Sequence, residues 1–205
     1  MNIKWLFSVF VCVVLVGVVP VVMASSGPTE VLKPKLNASM AVLSDPSLAG
    51  NEQKDVRRAK FMDIAMQVFN FKEMSKRVLG QTWRKIDPLE REHFTRLFTK
   101  LLENAYLGKL EEYSGQTIVY KDERVKGKKA AVSTVIYDEN TFLPVNYVML
   151  NTDTGWRVYD INIEGVSLIR NYREQFKSIL RKKKFDGLVK IIEEKNSSFD
   201  VEEFR

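Results

Sequence analysis

The stretch Gly155–Phe176, GWRVYDINIEGVSLIRNYREQF, changes its period partway along, and that change decides the fold. From Trp156 to Ile161 successive residues point to opposite sides, as in a strand. From Val166 the apolar residues fall at helical spacing, with Ile169, Tyr172, Phe176 and Leu180 on one stripe. Asn162 and Glu164 end the alternation, and Gly165 allows a corner that a Cβ would resist. Glu164 precedes the helix, where a carboxylate suits the positive end of the dipole. A strand thus runs into a helix through one glycine, which sets a sheet wall against a helix face at a fixed angle.

Upstream, three more strands are expected: Thr117–Arg124, Lys129–Tyr137 and Phe142–Thr152, before Trp156–Ile163. Their links are Lys126-Gly127-Lys128, Asp138-Glu139-Asn140 and Asp153-Thr154-Gly155, all turn-type. Links this short make an antiparallel meander. Before the strands lie helical patterns over Glu30–Ser44, from Asn51 onward, and over Phe71–Leu79, which Gly80 ends. Gln81–Ile86 reads as a turn or a further short helix. Asp87-Pro88 is a strong start signal, and Leu89 to about Glu112 carries Phe94, Leu97, Phe98, Leu101, Leu102, Ala105 and Tyr106 as one apolar stripe. Helices Val166–Lys183 and Asp186–Lys195 follow the sheet. The tail Ser197–Arg205 is expected to fray. The fold class is α+β: a four-stranded antiparallel meander covered by N-terminal and C-terminal helices.

Residues 1–24 read as a secretory signal peptide, with Lys4 ahead of the apolar run Trp5–Val19, then Pro20 and Val22-Met23-Ala24 before Ser25. An uncleaved anchor is the alternative, since the run is nearly long enough to span a bilayer. The remaining 25–196 form a single domain. Cys12 is the only cysteine, so the mature domain has no disulfide, thiolate metal site or cysteine nucleophile. The chain carries a net charge of +6, of which Lys4 supplies one. In an exported protein that charge points to headgroups, an acidic protein face or solubility rather than nucleic acid.

No catalytic set stands out. His93 is the only histidine and reads as a helix surface or core edge. No GxSxG, phosphate-cradling glycine loop or HExxH occurs. Asp160 and Glu164 could act as an acid–base pair, but such carboxylates more often hold a helix start. Arg57, Arg58 and Lys60 form one cationic cluster, and Arg181, Lys182, Lys183 and Lys184 another. Each reads as a solvated face or as a docking surface. More unusual is the sheet, which is apolar on both sides: Val132 and Ile136 against Ala131 and Val135; Val145, Tyr147 and Met149 against Val148 and Leu150. Pattern alone does not separate a filled two-sided core from an apolar ligand cavity.

Three stretches, FNFKEMSKRVLGQTW (Phe69–Trp83), EREHFTRLFTKLLENAY (Glu90–Tyr106) and Gly155–Phe176, together resemble the MlaC, or toluene-tolerance auxiliary, family of exported phospholipid-binding proteins. The resemblance covers nearly the whole mature chain, and YDxxIEGVSLxxNYRxQF is its specific part. Asn70 departs from the family's usual Asp, which weakens a capping role there. The resemblance implies a periplasmic, monomeric, non-catalytic carrier without cofactor. It would shuttle phospholipid between an outer-membrane lipoprotein complex and an inner-membrane ABC transporter bearing a lipid-binding ring, maintaining outer-membrane lipid asymmetry. Acyl chains would enter an apolar cavity between sheet and helices. Leu97, Leu101, Val135, Tyr147, Met149, Trp156 and Val158 are the expected lining, with Tyr106 and Tyr172 at the mouth and Arg181, Lys182 and Lys183 as partner-docking cations. An enzyme built on a cone-like α+β cavity and a structural adaptor with a solid core are the competing readings.

Overall fold

Capping chemistry fixes most element ends. The computed structural model of the chain describes residues 26–111, 115–137 and 142–203. The signal peptide expected over 1–24 and the turn at Asp138-Glu139-Asn140 lie outside them. Helix α1 (Pro28–Leu43) starts two residues earlier than expected. Its first turn is held by Gly27 N–H donating to the Glu30 carboxylate at 3.0 Å and Thr29 N–H donating to Glu123 at 2.8 Å. Two short 3-10 turns, Pro46–Leu48 and Asn51–Gln53, lead into α2 (Lys54–Val68).

Helix α3 (Phe71–Leu79) is capped by Asn70, whose side-chain oxygen accepts from Glu73 N–H at 2.9 Å. The amide therefore caps where the sequence reading expected a weakened role, because capping needs only the acceptor oxygen. The Asn70 N–H also donates to the Val158 carbonyl at 2.8 Å, tying the start of α3 to the sheet. After α4 (Thr82–Lys85), α5 (Pro88–Glu111) opens on a reciprocal box. Asp87 accepts from Glu90 N–H, and Glu90 accepts from Asp87 N–H, both at 2.8 Å.

The sheet has five strands in the order β1-β2-β3-β4-β5: β1 (Thr117–Lys126), β2 (Lys129–Tyr137), β3 (Phe142–Thr152), β4 (Gly155–Ile163) and β5 (Val166–Ser167). All pairs are antiparallel. The fifth strand corrects the expected four. The corner after β4 takes two residues with positive φ, Glu164 at 50° and Gly165 at 82°, and this tight reversal lets Val166 and Ser167 pair back onto Ile163 and Asn162. The helix accordingly begins at Leu168 rather than Val166.

Helix α6 (Leu168–Glu203) is broken at Lys184, whose φ of 61° and ψ of −168° are not helical. The break falls between the two helices expected from sequence. Past it the chain bends so tightly that a Cβ on Gly187 would lie 2.4 Å from the Lys183 Cβ. The tail expected to fray from Ser197 is helical to Glu203.

The sheet separates two apolar clusters. On one side α1 and α2 cover Ala130, Val132, Val145, Tyr147, Met149, Trp156 and Val158. On the other, α3, α5 and α6 gather Phe71, Met74, Val78, Phe94, Phe98, Leu101, Tyr172, Phe176, Leu188 and Ile192 around Tyr159 of β4.

Candidate functional site

Cross-strand register decides what each expected lining residue faces. Val132 pairs with Tyr147, Thr134 with Val145 and Met149 with Val158, so Tyr147, Met149 and Val158 share the α1 side with Trp156. That side is dense: Val132 and Val158 are 0% exposed and Met149 1%. The buried Tyr147 hydroxyl has its pKa raised above the usual tyrosine range, by burial first and by neighbouring Tyr120 second. Burial likewise pushes Tyr120 up to about 12.

Val135 pairs with Val119 and Pro144, which alternation places on the opposite side, in the same row system as Val148 and Leu150. Leu97, Leu101, Tyr106 and Tyr172 are on that side too, Leu101 and Tyr172 within the core and Leu97 and Tyr106 packed against it half-buried. The nine expected lining residues therefore divide: five stand on the α5–α6 side, and Tyr147, Met149, Trp156 and Val158 lie behind the sheet. A bulge at Tyr159 lets Met149 pair with Val158 while Val148 pairs with Asp160, which turns Asp160 away from the side that Trp156 and Val158 share.

Tyr172 anchors the aromatic end of this side. Its ring is T-shaped to Phe98 at 5.3 Å and lies 5.6 Å from Phe176. Burial, with Tyr106 nearby, pushes its hydroxyl up to about 12, and burial also raises Tyr106. Helix α5 packs on α3 and α6, α3 and α6 pack on β4, and Val148 and Leu150 of β3 pack against the same cluster; among the described residues these helices approach β1, β2 and β3 less closely than β4. Val135 is nevertheless buried, and Val119, Pro144, Asn146 and Val148 are half-buried. Ser133, Asn146 and Asn162 form a polar row across the same wall. The Asn162 side-chain oxygen is buried without a hydrogen-bond partner among the described residues. Sequence reasoning missed Val119, Pro144, Asn146, Val148 and Asn162, for which only the register carries a signal.

The remaining candidates resolve by their contacts. Asp160 accepts from Ser167 Oγ at 2.6 Å and from Ile169 N–H at 3.0 Å, so it holds the start of α6. Glu164 is exposed at the corner and takes no part in that contact. His93 lies 3.3 Å from Glu193 across α5 and α6. Among the described residues no cluster of three or more His, Cys, Asp or Glu could hold a metal ion, and no helix is long and apolar enough to cross a membrane. Arg58 is bound to Glu103 and Asn104 and so braces α2 on α5, while Arg57 donates to the Leu48 and Gly50 carbonyls. Arg181, Lys182 and Lys183 are exposed in the turn before the α6 break.

Residues 34–194 match the family described as MlaC protein. The intermembrane phospholipid transport system binding protein MlaC of Haemophilus influenzae is 27% identical over 126 residues, 58% of this chain and 59% of that protein. The toluene tolerance protein ttg2D of Pseudomonas putida is 27% identical over 101 residues, 48% of this chain and 47% of that protein. The aligned region thus spans only about half of the curated relatives' length. A phospholipid-binding protein from Ralstonia solanacearum, solved in complex with a phospholipid, superposes with a TM-score of 0.77 at 26% identity, over 85% of this chain and 99% of that one.

Proposed function

This chain belongs to the MlaC family, and from that premise we propose that it is a periplasmic phospholipid carrier. It holds acyl chains between the β1–β3 wall and helices α5 and α6. One observation carries the reading. The wall residues Val119 and Val135 on that side are half-buried and buried, yet among the described residues they pack in neither apolar cluster, whereas Val148 packs against the α3–α5–α6 cluster. Leu97, Leu101, Tyr106, Val135 and Tyr172 line the space in this reading, with Asn146 and Asn162 available to polar atoms near the glycerol. Tyr147, Met149, Trp156 and Val158 stiffen the wall from behind. The superposition on a phospholipid-bound protein supports the same reading.

The physical task sets the rest. Burying a methylene contributes about 0.8 kcal/mol, so a two-chain lipid with some thirty methylenes would cost about 24 kcal/mol in open water. A bilayer offers the same benefit, so the site need only match the membrane to load and unload. No step is chemical, so the carrier is non-catalytic and takes no cofactor. Direction comes from the outer-membrane lipoprotein complex and the inner-membrane ABC transporter between which it moves as a monomer. Arg181, Lys182 and Lys183 serve as docking cations. The test is transfer of a fluorescent phospholipid from donor to acceptor vesicles by the purified protein. Transfer well above the protein-free rate is expected, and a rate equal to it would overturn the carrier reading.

A further inference from the structure

Charge on this chain is distributed unevenly, and the fold concentrates it. Residues 71–86 and 168–185 together hold twelve Lys and Arg against two carboxylates, a net of +10, while the whole chain carries +6. The rest of the chain is therefore net negative, at −4. The two segments are one surface. Helix α3 packs along α6 and α4 packs on α3. The Arg173 guanidinium lies over Gly80, at the junction of α3 and α4, 3.6 Å from where a Cβ would stand.

On α6, Arg170, Arg173, Lys177 and Arg181 recur at three- and four-residue spacing on the side away from buried Tyr172 and Phe176, and all four are exposed. Lys72, Lys76, Arg84 and Lys85 of α3 and α4 are exposed as well. The two carboxylates are already engaged, Glu73 with Lys76 and Arg77 and Glu174 with Lys177. Arg181, Lys182, Lys183 and Lys184 have no ion-pair partner among the described residues.

From this geometry we propose that the α3–α4–α6 face binds directly to an anionic phospholipid leaflet through its headgroup phosphates. The proposal deepens the docking role of Arg181, Lys182 and Lys183. It rests on the carrier reading for its purpose but on charge and packing for its evidence. Arginines on a helix laid flat suit phosphate oxygens, which accept their forked donors. Stable protein interfaces centre on a desolvated aromatic or apolar cluster. This face has none: no exposed large apolar side chain falls within 71–86 or 168–185. An electrostatic leaflet contact needs no such centre, and it is weak enough per cation to release at ordinary salt. A carrier that must leave the membrane with its cargo needs that reversibility.

Vesicle flotation tests the proposal. The protein is mixed with vesicles rich in phosphatidylglycerol or made of phosphatidylcholine alone, at low and at raised salt. Bound fraction should be about tenfold or more higher on the anionic vesicles and should collapse at raised salt. K177E/R181E/K182E/K183E should abolish binding, and the same four positions changed to Gln should weaken it without charge reversal. K121E/K126E/K128E/K129E, on the β1–β2 hairpin, makes the same change in net charge and should leave binding within about twofold. Native mass of bound lipid is read on each variant, so loss of leaflet binding with lipid still loaded separates this proposal from the carrier reading. Equal binding to both vesicle types, or equal loss in the hairpin variant, would overturn it. So would retention on an immobilised acidic protein with none on anionic vesicles.

Discussion

Val135 is 9% exposed, yet it belongs to neither of the two apolar clusters that flank the sheet. Among the described residues neither cluster encloses it, so it fronts either space open to a ligand or other packed atoms. Val135→Trp distinguishes the two states. Facing open space, the larger ring occupies volume that lipid would otherwise take, so retained phospholipid falls while the folded protein keeps its urea midpoint. Facing packed atoms, it would cost about 1–3 kcal/mol by overpacking, and that loss of midpoint would contradict the account. Met149→Ala, behind the sheet, should do the reverse: about 2–5 kcal/mol of stability lost with lipid content unchanged. The tyrosines give a second prediction at this scale. Tyr120 and Tyr172 titrate near 12 in the folded chain, pushed up by burial, and near 10 when unfolded. The neutral form is thus favoured by folding. Its contribution is fully present below about pH 10 and is lost as pH rises toward about 12. The denaturation midpoint should fall between pH 9 and pH 11.5, and less so in Tyr172→Phe; a flat profile in the unaltered protein would contradict those burial effects.

At the scale of elements, α6 shows how local chemistry directs tertiary placement. Asp160 receives the Ser167 hydroxyl and the Ile169 N–H, so the strand that precedes the helix also caps it. Sixteen residues on, the break at Lys184 redirects the chain so that Leu188, Ile192 and Asn196 lie on α5, where the Asn196 amide donates to the Leu97 carbonyl at 3.1 Å. Gly187 makes that approach possible. Gly187→Ala should lower stability by about 1–3 kcal/mol despite alanine's better helix propensity, measured by thermal unfolding; a gain in stability would contradict the close contact with Lys183. Helix and strand extents were legible in the sequence because caps, glycine corners and periodicity are local. The register was not. Whether Val135 shares a side with Tyr147 depends on pairing Val135 to Pro144, a contact between strands that no local pattern encodes. The expected lining therefore combined residues from both sides of the sheet, four of them on the dense α1 side. The bulge at Tyr159 and the two-residue strand β5 escaped for the same reason, since each exists only through its partner strand.

For the molecule as a whole, the sheet works as a partition. Its α1 side is packed with side chains that leave no exposure at Val132 and Val158. Its other side meets helices that lean on one another and on β4 more than on β1–β3. In the carrier reading, the hydrocarbon tails lie where that second layer faces β1–β3. The basic surface lies on the outside of that second layer, so the helices that would cover the tails are also those that would meet a membrane. The central claim is that a phospholipid completes the interior between β1–β3 and α5–α6. A native mass spectrum of the protein recovered from a Gram-negative periplasm without detergent tests it most directly. The account predicts a species heavier than the bare chain by the mass of a phospholipid; a spectrum of bare chain alone under gentle ionisation would contradict it.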